Sequence, residues 1–309
     1  MKDRLIIGSR GSRLAIAQSE IVKTLLLSHF PSLQIEIQKI QTSGDKLHTE
    51  KIYKFGGKGV FVKEIEEALL SNSIDLAVHS MKDVPTDIPP ALEIASILKR
   101  EDASDAFLSV TYERLEDMPK GSRIGSSSLR RHVQILERNP NVDVCDLRGN
   151  VDTRLKKLKA GEMDAMVMAT CGLKRLNLEQ EIRQSLNFVP AVGQGAIGIE
   201  IRKDDKKVKD KILRLNDEKT YNEVFLERIF LKKMNGGCLL PLGAKVFCSS
   251  QDFSFETFIG SLDTQVILKH KGKGKISEGE KTISDVCEKI LNEGGREILR
   301  SIERGFKNI

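Results

Sequence analysis

The sequence contains no tryptophan, and aromatic residues make up only 5% of its 309 residues. Proteins that bind single-stranded nucleic acid stack bases on aromatic side chains, so this scarcity argues against such a surface. No apolar run approaches the about 18 residues that a membrane-spanning helix requires. The first residues, Met1 to Arg4, lead directly into an apolar segment and do not resemble a signal peptide. We therefore expect a protein that binds neither nucleic acid nor a membrane.

The chain has five cysteines, and no two of them form a C-x-x-C pair. An odd number without such spacing argues against a disulfide framework and against a zinc site, and it favours a reducing cytoplasm. We expect no metal ion. One cysteine, Cys238, follows Gly236-Gly237. The glycines remove bulk beside the thiol, so this segment is either a tight turn with a buried cysteine or a thiol that a large ligand can reach.

Charge is plentiful, with 30% charged and 39% hydrophobic residues and a formal net charge of +6. These values are ordinary for a globular protein, and the length allows two or three domains. The mild positive excess favours anionic partners without requiring nucleic acid.

Two parts of the chain share a layout of strand, Gly-Ser turn, helix, proline and strand. Alternating strands and helices of these lengths predict two α/β domains with largely parallel sheets, followed by a small α+β domain. The predicted strands are 5–7, 33–37, 75–80, 92–98, 123–125, 142–147, 165–169, 196–201, 243–248, 254–260 and 264–270, and the predicted helices include 61–71, 151–159, 205–215, 218–234 and 280–304.

The predicted domains are residues 1–98 with 196–215, residues 102–190, and residues 218–309. Residues 42–59 carry several glycines and charges and predict a long exposed loop. The glycine-rich segment 189–195 suits a hinge or a crossing back into the first domain.

Basic residues fall at the predicted strand-to-helix turns, which border the ligand-binding crevice in open α/β sheets. Arginine grips carboxylates through two parallel hydrogen bonds, and serines at helix N-termini can help to hold an anion. A single such arginine is more often a solvated surface charge, but the set favours a ligand with several carboxylates or phosphates. The residues concerned are Arg10, Ser12, Ser126, Ser127, Ser128, Arg130, Arg131, Arg148, Arg154 and Arg175.

Lys82 and Asp83 end a predicted strand. An ionised Asp83 among cations is suited to stabilise a developing positive charge, whereas a simple salt bridge with Lys82 is the alternative. His79 and Ser80 do not form a catalytic pair in this interpretation, because neighbouring strand residues point to opposite faces.

In this order along the chain, several motifs resemble those of the porphobilinogen deaminase family. Each motif is modest evidence alone, but the ordered set is specific and covers residues 5 to about 245. The motifs are Val78-His79-Ser80-Met81-Lys82-Asp83-Val84-Pro85, Gly125-Ser126-Ser127-Ser128-Leu129-Arg130-Arg131, Leu147-Arg148-Gly149-Asn150-Val151, Thr153-Arg154-Leu155, Gly172-Leu173-Lys174-Arg175-Leu176, Pro190-Ala191-Val192-Gly193-Gln194-Gly195 and Gly236-Gly237-Cys238. The stretch 245–309 carries no motif that we match.

The resemblance implies two periplasmic-binding-protein-like α/β domains plus a small C-terminal α+β domain that bears the cysteine. It implies that Cys238 holds a dipyrromethane cofactor through a thioether. Four porphobilinogen molecules would then condense stepwise onto this primer with loss of ammonia, and hydrolysis would release the linear tetrapyrrole hydroxymethylbilane. We expect a cytoplasmic monomer.

The resemblance also implies roles for individual residues. Asp83 would be the catalytic carboxylate. Cofactor-binding residues besides Cys238 would be Lys82, Asp83, Ser12, Ser126, Ser127, Ser128, Arg130, Arg131 and Arg148, and substrate-binding residues would be Arg10, Arg148, Arg154, Arg175, Gln194 and Phe61. Lys54 and Lys58 would lie in a lid over the cleft.

Two other functions compete with this one. A two-domain anion-binding receptor without catalysis would explain the arginines but not the cysteine-bearing domain. A hydrolase with a cysteine nucleophile lacks a convincing histidine partner, because only His79 lies near a predicted cleft residue.

Overall fold

The computed structural model describes residues 4–43, 62–236 and 240–307 and contains three β-sheets. The first part of the chain forms β1 (Arg4–Arg10), α1 (Arg13–His29), β2 (Gln34–Ile40), α2 (Lys63–Leu70), β3 (Leu76–Ser80) and β4 (Leu92–Ile97). The middle part forms β5 (Asp105–Ser109), β6 (Arg123–Gly125), α3 (Leu129–Arg138), β7 (Asp143–Cys145), α4 (Val151–Lys159), β8 (Ala165–Ala169), α5 (Thr170–Lys174) and β9 (Gln184–Leu186).

The remaining elements return to the first sheet and then build the third. They are β10 (Ile197–Arg202), α6 (Lys206–Ile212), α7 (Glu218–Lys233), β11 (Leu242–Ser249), β12 (Asp252–Gly260), β13 (Ile267–Lys275), α8 (Gly279–Ile290) and α9 (Arg296–Lys307).

The first two sheets have the same spatial arrangement of strand directions. Their strand orders are β2-β1-β3-β10-β4 and β7-β6-β8-β5-β9, and in each the first three strands are parallel. The fourth strand of each sheet, β10 or β5, is antiparallel to both neighbours. Each of these strands begins just after the chain has crossed from the other sheet. The two sheets are therefore joined by two crossing segments, residues 98–104 and 187–196.

Apolar side chains cover both faces of the first two sheets, as expected for largely parallel sheets. On the first sheet, Leu5, Ile7 and Val22 belong to the core between the sheet and α1, while Ile65 and Leu69 of α2 pack on the opposite face. The third sheet, β11-β12-β13, is antiparallel and packs its inner face against α7 and α8. The predicted fold class of two α/β domains and a small α+β domain is confirmed.

Several element predictions were wrong in detail. The strands β5 and β9 were not predicted, because a five-residue strand buried on both faces and a three-residue strand show no alternation. The predicted helix 280–304 is interrupted at Gly294, whose φ of 114° is incompatible with a continuous α-helix. The strand predicted at 264–270 lies instead at Ile267–Lys275. From residue 44 onward, the predicted loop 42–59 lies outside the described residues.

Within the described ranges, no helix is both long and apolar enough to cross a membrane.

Candidate active site

A cleft of about 80 Å³ lies between the first two sheets, next to the second crossing segment. Four cationic side chains line it: Lys82, Arg131, Arg154 and Arg175. The rest of the wall comes from α1, from the end of β3, from Val151 of α4, from β8 and α5, and from Gly193 and Gly195. The cleft thus meets the carboxyl ends of the parallel strands, as the positions of the arginines in the sequence predict.

Lys82 and Asp83 lie in a 3₁₀ turn, Met81–Asp83, that follows β3 directly. The turn is held against the second crossing segment, since the backbone N–H of Met81 donates to the carbonyl of Ala196 at 3.0 Å. Gly193 makes this contact possible. Its φ is 71°, and a Cβ atom there would lie 2.8 Å from the Cβ of Met81 and 3.0 Å from its carbonyl carbon.

Several charged groups of the site lie close enough to Arg154 to affect its pKa. The pKa of its guanidinium is lowered to about 10, mainly by burial and then by the neighbouring cations Arg131 and Arg148. The negative charges of Asp146 and Asp83 act in the opposite direction. Arg154 is fixed by a hydrogen bond from its Nε to the carbonyl of Gly149 at 2.7 Å, whereas Arg148 pairs with Asp146 at 3.1 Å.

The two adjacent arginines of α3 are held by one buried carboxylate, Asp105 on β5. Arg131 donates to Asp105 Oδ1 from Nε at 3.0 Å and from Nη2 at 2.7 Å, and Arg130 donates to Oδ2 at 2.7 Å. Asp105 is fully buried, yet these two guanidinium groups outweigh the effect of burial and hold its pKa well below the usual range. Burial lowers the pKa of Arg130, and the negative charge of Asp105 acts in the opposite direction.

Arg130 and Arg131 therefore lie differently with respect to the cleft. Arg131 lines it. Arg130 is not among the residues of the cleft wall; it is 3% exposed and also donates to the carbonyl of Val189 at 2.7 Å. In the structure this guanidinium joins α3 to the second crossing segment.

Arg175 and Gln194 also contact the crossing segments. Arg175 Nη2 donates to the carbonyl of Gly195 at 2.6 Å, and burial lowers the pKa of its guanidinium. Gln194 is fully buried, and its Nε2 donates to the carbonyl of Ala103 at 2.7 Å and to Asp105 Oδ1 at 3.0 Å. Gln194 thus joins the two crossing segments behind the cleft wall.

The predicted serines cap helices or brace turns in the described structure. Ser12 and Ser128 are the N-caps of α1 and α3, accepting from the backbone N–H of Ala15 at 3.2 Å and of Arg131 at 3.4 Å. The Ser126 Oγ accepts from the backbone of Ser128, and the Ser127 Oγ donates to the carbonyl of Leu147. Arg10 is the last residue of β1.

Four predicted site residues lie outside the described residues. They are Phe61, Lys54, Lys58 and Cys238.

Sequence reasoning missed three contributors to the site. Asp105 was missed together with its strand, although an acidic residue in front of the apolar Ala106, Phe107 and Leu108 was a usable signal. Gln18 donates from Nε2 to Ser80 Oγ at 2.8 Å, and both residues line the cleft. No local motif marks a glutamine inside an amphipathic helix as a cleft residue.

The third missed contributor is the ion pair between Arg100, in the first crossing segment, and Glu227 on α7. Arg100 Nη1 lies 2.6 Å from Glu227 Oε1, and Glu227 is fully buried. Glu227 also accepts from the backbone of Gly193 at 2.8 Å and of Val246 at 2.9 Å, while Arg100 donates to the carbonyl of Gln194 at 2.9 Å. This pair joins the first crossing segment, the second crossing segment and the third sheet.

The arrangement is suited to bind a ligand with several carboxylates and to stabilise a positive charge beside one carboxylate. Arginine and lysine in a partly enclosed cleft form charge-assisted hydrogen bonds with carboxylates, and Asp83 supplies the opposite charge. Among the described residues, no group of three or more His, Cys, Asp or Glu side chains is arranged to hold a metal ion.

Comparison with known proteins accounts for nearly the whole chain. Residues 5–210 match the family described as porphobilinogen deaminase, dipyromethane cofactor binding domain, and residues 221–292 match porphobilinogen deaminase, C-terminal domain. The second match extends well into the stretch after residue 245, where the sequence showed us no motif.

Individual relatives agree with these matches. The chain is 42% identical over 308 residues to the porphobilinogen deaminase of Syntrophobacter fumaroxidans, covering 98% of this chain and 100% of that protein. It is 43% identical over 303 residues to the porphobilinogen deaminase of Nitratidesulfovibrio vulgaris, covering 96% of each chain. Among solved structures, it is similar to the methionine binding protein MetQ, with 14% identity and a TM-score of 0.46 over 81% of this chain and 100% of that chain.

Two family matches that together span most of the sequence, and relatives above 40% identity along almost its full length, agree on one assignment. The chain belongs to the porphobilinogen deaminase family.

Proposed function

We propose that this protein is a porphobilinogen deaminase, a transferase also called hydroxymethylbilane synthase. It condenses four porphobilinogen molecules stepwise onto a protein-bound primer, releases ammonia at each condensation, and hydrolyses the product to the linear tetrapyrrole hydroxymethylbilane. The observation that carries the proposal is the cleft with Lys82, Arg131, Arg154 and Arg175 in its wall and Asp83 beside it, in a chain of this family.

The cleft fits the dipyrromethane cofactor that names the matched domain. A dipyrromethane made from porphobilinogen carries acetate and propionate groups, and four cationic side chains in the cleft wall are the donors that such a ligand requires. When bound, this group supplies the pyrrole carbon to which the first substrate molecule is joined.

We propose that Cys238 is the attachment point of the cofactor. The chain that follows this residue is anchored next to the site: the backbone N–H of Gly260 donates to the carbonyl of Pro241 at 3.1 Å, and that of Ala244 donates to the carbonyl of Pro190 at 3.1 Å. Pro190 belongs to the second crossing segment, whose Gly193 and Gly195 line the cleft. The six peptide links from Cys238 to Ala244 span at most roughly 20 Å, which supports an attachment point on the side of the second crossing segment.

Asp83 acts as the catalytic carboxylate in this proposal. As ammonia leaves the substrate, positive charge develops on the pyrrole, and an ionised carboxylate beside it stabilises that charge. Lys82, Arg131, Arg148, Arg154, Arg175 and Arg10 hold the carboxylates of cofactor and substrate, and Ser12, Ser126, Ser127 and Ser128 assist them. Arg130 and Gln194 support these groups from behind the cleft wall, and Phe61, Lys54 and Lys58 complete the predicted site.

We propose the predicted division into residues 1–98 with 196–215, 102–190 and 218–309, which is supported by one sheet in each unit. We also propose a cytoplasmic monomer that acts on a small molecule and not on nucleic acid or a membrane. Cys145, Cys171, Cys248 and Cys287 are all free thiols, in keeping with a reducing compartment. Light scattering after size exclusion measures the oligomeric state, and a dimer would refute the monomer.

The test combines intact mass with turnover. The purified protein should carry a covalent dipyrrole that is lost in Cys238→Ala, and it should release four ammonia molecules for each tetrapyrrole detected by mass spectrometry. Asp83→Asn should lower kcat by at least about 100-fold, as expected for the loss of a group that stabilises charge in the transition state. Binding of porphobilinogen without ammonia release would instead support the non-catalytic anion-binding receptor.

A further inference from the structure

The chain that follows the Met81–Asp83 turn is bound by an arginine of α7, the helix that packs on the third sheet. The next three residues, Val84, Pro85 and Thr86, belong to neither a helix nor a strand. Arg228 donates to the carbonyl of Val84 from Nη1 at 3.0 Å and to that of Pro85 from Nη2 at 2.5 Å. The same Nη2 lies 3.4 Å from the carbonyl oxygen of Thr86. One guanidinium thus spans three successive carbonyls directly after the turn.

This contact uses the particular shape of arginine. Carbonyl groups outside helices and strands need donors from elsewhere, and a guanidinium presents several donors in a rigid planar fork. The ammonium of lysine is a point charge on a flexible stem and does not reproduce this arrangement. Arg228 is partly exposed and is not among the residues of the cleft wall. We therefore consider it as a support for the turn and not as a ligand-binding group.

Apolar packing holds the same turn against the same helix. Met81 and Val84 belong to one buried cluster together with Ala196 and with Val224 of α7. Val224 lies four residues before Arg228, so the two side chains project from the same face of the helix. One face of α7 thus packs on the turn and also binds the chain that leaves it.

The residue next to Arg228 binds the other support of the turn. Glu227 accepts from the backbone N–H of Gly193 at 2.8 Å, and Gly193 is the residue that closely approaches Met81. Adjacent residues of α7 therefore hold the chain that leaves the turn and the crossing segment on which the turn packs. A displacement of the first contact alone would move Asp83 relative to the cleft wall, because the second contact would stay in place.

We propose that Arg228 is a positioning residue for the reaction. By binding the carbonyls that follow Asp83, it fixes the direction in which the chain leaves the turn and thereby the position of the Asp83 carboxylate. The inference rests on the proposed function, which gives Asp83 its catalytic role. α7 ends shortly before Cys238 in the sequence. The helix that leads to the proposed attachment point thus also holds the proposed catalytic carboxylate in place.

A purely structural role is the competing explanation, in which Arg228 only attaches α7 to the first sheet. The two roles predict different kinetics. Misplacement of a reacting group by about 1 Å can cost about 100-fold in rate, so a positioning role predicts a lower kcat. KM should change little, because the groups that bind carboxylates are untouched. Attachment alone predicts a lower melting temperature with an unchanged kcat for the folded protein.

Arg228→Ala is the first test. It should lower kcat at least about tenfold while KM changes less than about twofold. Intact mass shows whether the covalent cofactor is still present, so that a loss of turnover is not mistaken for a loss of loading. Guanidinium chloride at millimolar concentration, far below the molar range that unfolds proteins, should restore part of the kcat by occupying the vacated position.

The matched control is Lys232→Ala, one turn further along α7. Lys232 Nζ lies 3.4 Å from Asp87 Oδ1, and the two side chains are 68% and 73% exposed. This pair joins the same helix to the same segment, but at the surface, where an ion pair contributes little. The variant should therefore keep the kcat and KM of the wild type, and guanidinium should not change them.

Arg228→Lys keeps the positive charge but loses the fork. Its kcat should be at least about threefold below that of the wild type, because one ammonium cannot hold successive carbonyls in the same geometry. If Arg228→Ala does not fold, this variant decides the question.

Hydrogen exchange measures the position of the turn without turnover. The backbone N–H of Met81 donates to the carbonyl of Ala196 at 3.0 Å, and that of Val84 donates to the carbonyl of Met81 at 3.3 Å. These two amides should exchange faster in Arg228→Ala than in the wild type or in Lys232→Ala, because the arginine no longer holds the turn.

The inference is overturned if the folded Arg228→Ala protein, or Arg228→Lys where the first does not fold, keeps the kcat of the wild type, whatever its melting temperature. Unchanged exchange of the two amides would overturn it as well. Failure of the proposed function has a different signature. A wild-type protein that releases no ammonia would refute the function, while hydrogen exchange would still report whether Arg228 holds the turn.

Discussion

Asp105 is fully buried and accepts two hydrogen bonds from Arg131, at 3.0 and 2.7 Å. Arg131, one of the arginines that line the cleft, is therefore oriented from behind by a carboxylate that is closed to solvent. The same carboxylate also forms an ion pair with Arg130. One residue of β5 thus orients one of the cationic side chains of the cleft wall.

Asp105→Asn should destabilise the protein by about 3 to 5 kcal/mol, because it leaves two buried guanidinium groups without their charge partner. It should also raise KM, since Arg131 loses its orientation. Asp146→Asn is the matched control: Asp146 pairs with Arg148 at 3.1 Å but its side chain is 51% exposed, so its loss should cost below about 1 kcal/mol. Urea unfolding and steady-state kinetics measure both effects, and equal stability of the two variants would contradict the role of Asp105.

Glu227→Gln should cost about 3 kcal/mol or more, because Arg100 and Glu227 are both buried and the pair joins the two crossing segments to the third sheet. The Arg4–Glu36 pair has the same separation of 2.6 Å with side chains 64% and 55% exposed. Glu36→Gln should therefore cost about 1 kcal/mol at most. Thermal unfolding compares the two variants directly, and an equal loss of stability would show that burial of the Arg100–Glu227 pair is unimportant.

Gly193→Ala should lower both stability and kcat. Positive φ and the 2.8 Å approach to the Cβ of Met81 together predict a cost of about 3 kcal/mol, and the displaced turn carries Asp83. Gly161 has a similar φ of 74° but nothing within 4 Å of the added Cβ. Gly161→Ala should thus cost only about 1 kcal/mol and leave turnover unchanged. Calorimetry measures the loss of stability in each variant, and kinetic assays measure the loss of turnover. Because both glycines have positive φ, the difference between the two variants is the cost of the steric conflict with Met81.

Arg154→Lys should make KM depend on pH. Burial and the cations Arg131 and Arg148 lower the pKa of the group at this position, and lysine starts from a lower ordinary pKa than arginine. The variant should lose its positive charge at a pH where the wild type keeps it, so its KM should rise more steeply between pH 7 and 9. Arg114→Lys, at a side chain that is 60% exposed, provides the control and should show the wild-type profile.

The thiols of Cys248 and Cys287 should resist alkylation in the folded protein at pH 8. Burial is the main factor that raises their pKa values, to about 11 and about 12, and the thiolate is the reactive form. Cys145, which is partly exposed, should react under the same conditions. Peptide mass mapping after iodoacetamide treatment measures the extent of alkylation at each cysteine. Urea-unfolded protein is the reference, because its thiols are no longer protected by burial.

The sequence was sufficient to predict the two α/β units, the crossing at 189–195 and the clustering of arginines at one edge. It was insufficient for β5, because Asp105–Ser109 is buried on both faces and lacks a periodic pattern. Arg130 and Arg131 are neighbours of the same type, yet only one lines the cleft. Their difference depends on Asp105 and Val189, which are 25 and 59 residues away from Arg130.

The same limit applies to a buried contact within the first sheet. His79 and Glu200 are 121 residues apart, so their contact cannot be predicted from local spacing. Lys82 and Asp83 could be assigned to a strand end from the sequence. The role of Gly193 could not, because it depends on the contact of this residue with Met81.

The strand order has a consequence for the synthesis of the chain on the ribosome. Among the described strands, β4 pairs with β10 alone, and β10 lies between β3 and β4. The first sheet therefore cannot close before residue 202 has emerged, by which point all strands of the second sheet have been made. We expect the amino-terminal half of a nascent chain to keep an open edge at β3, and the second sheet to be the first that is complete.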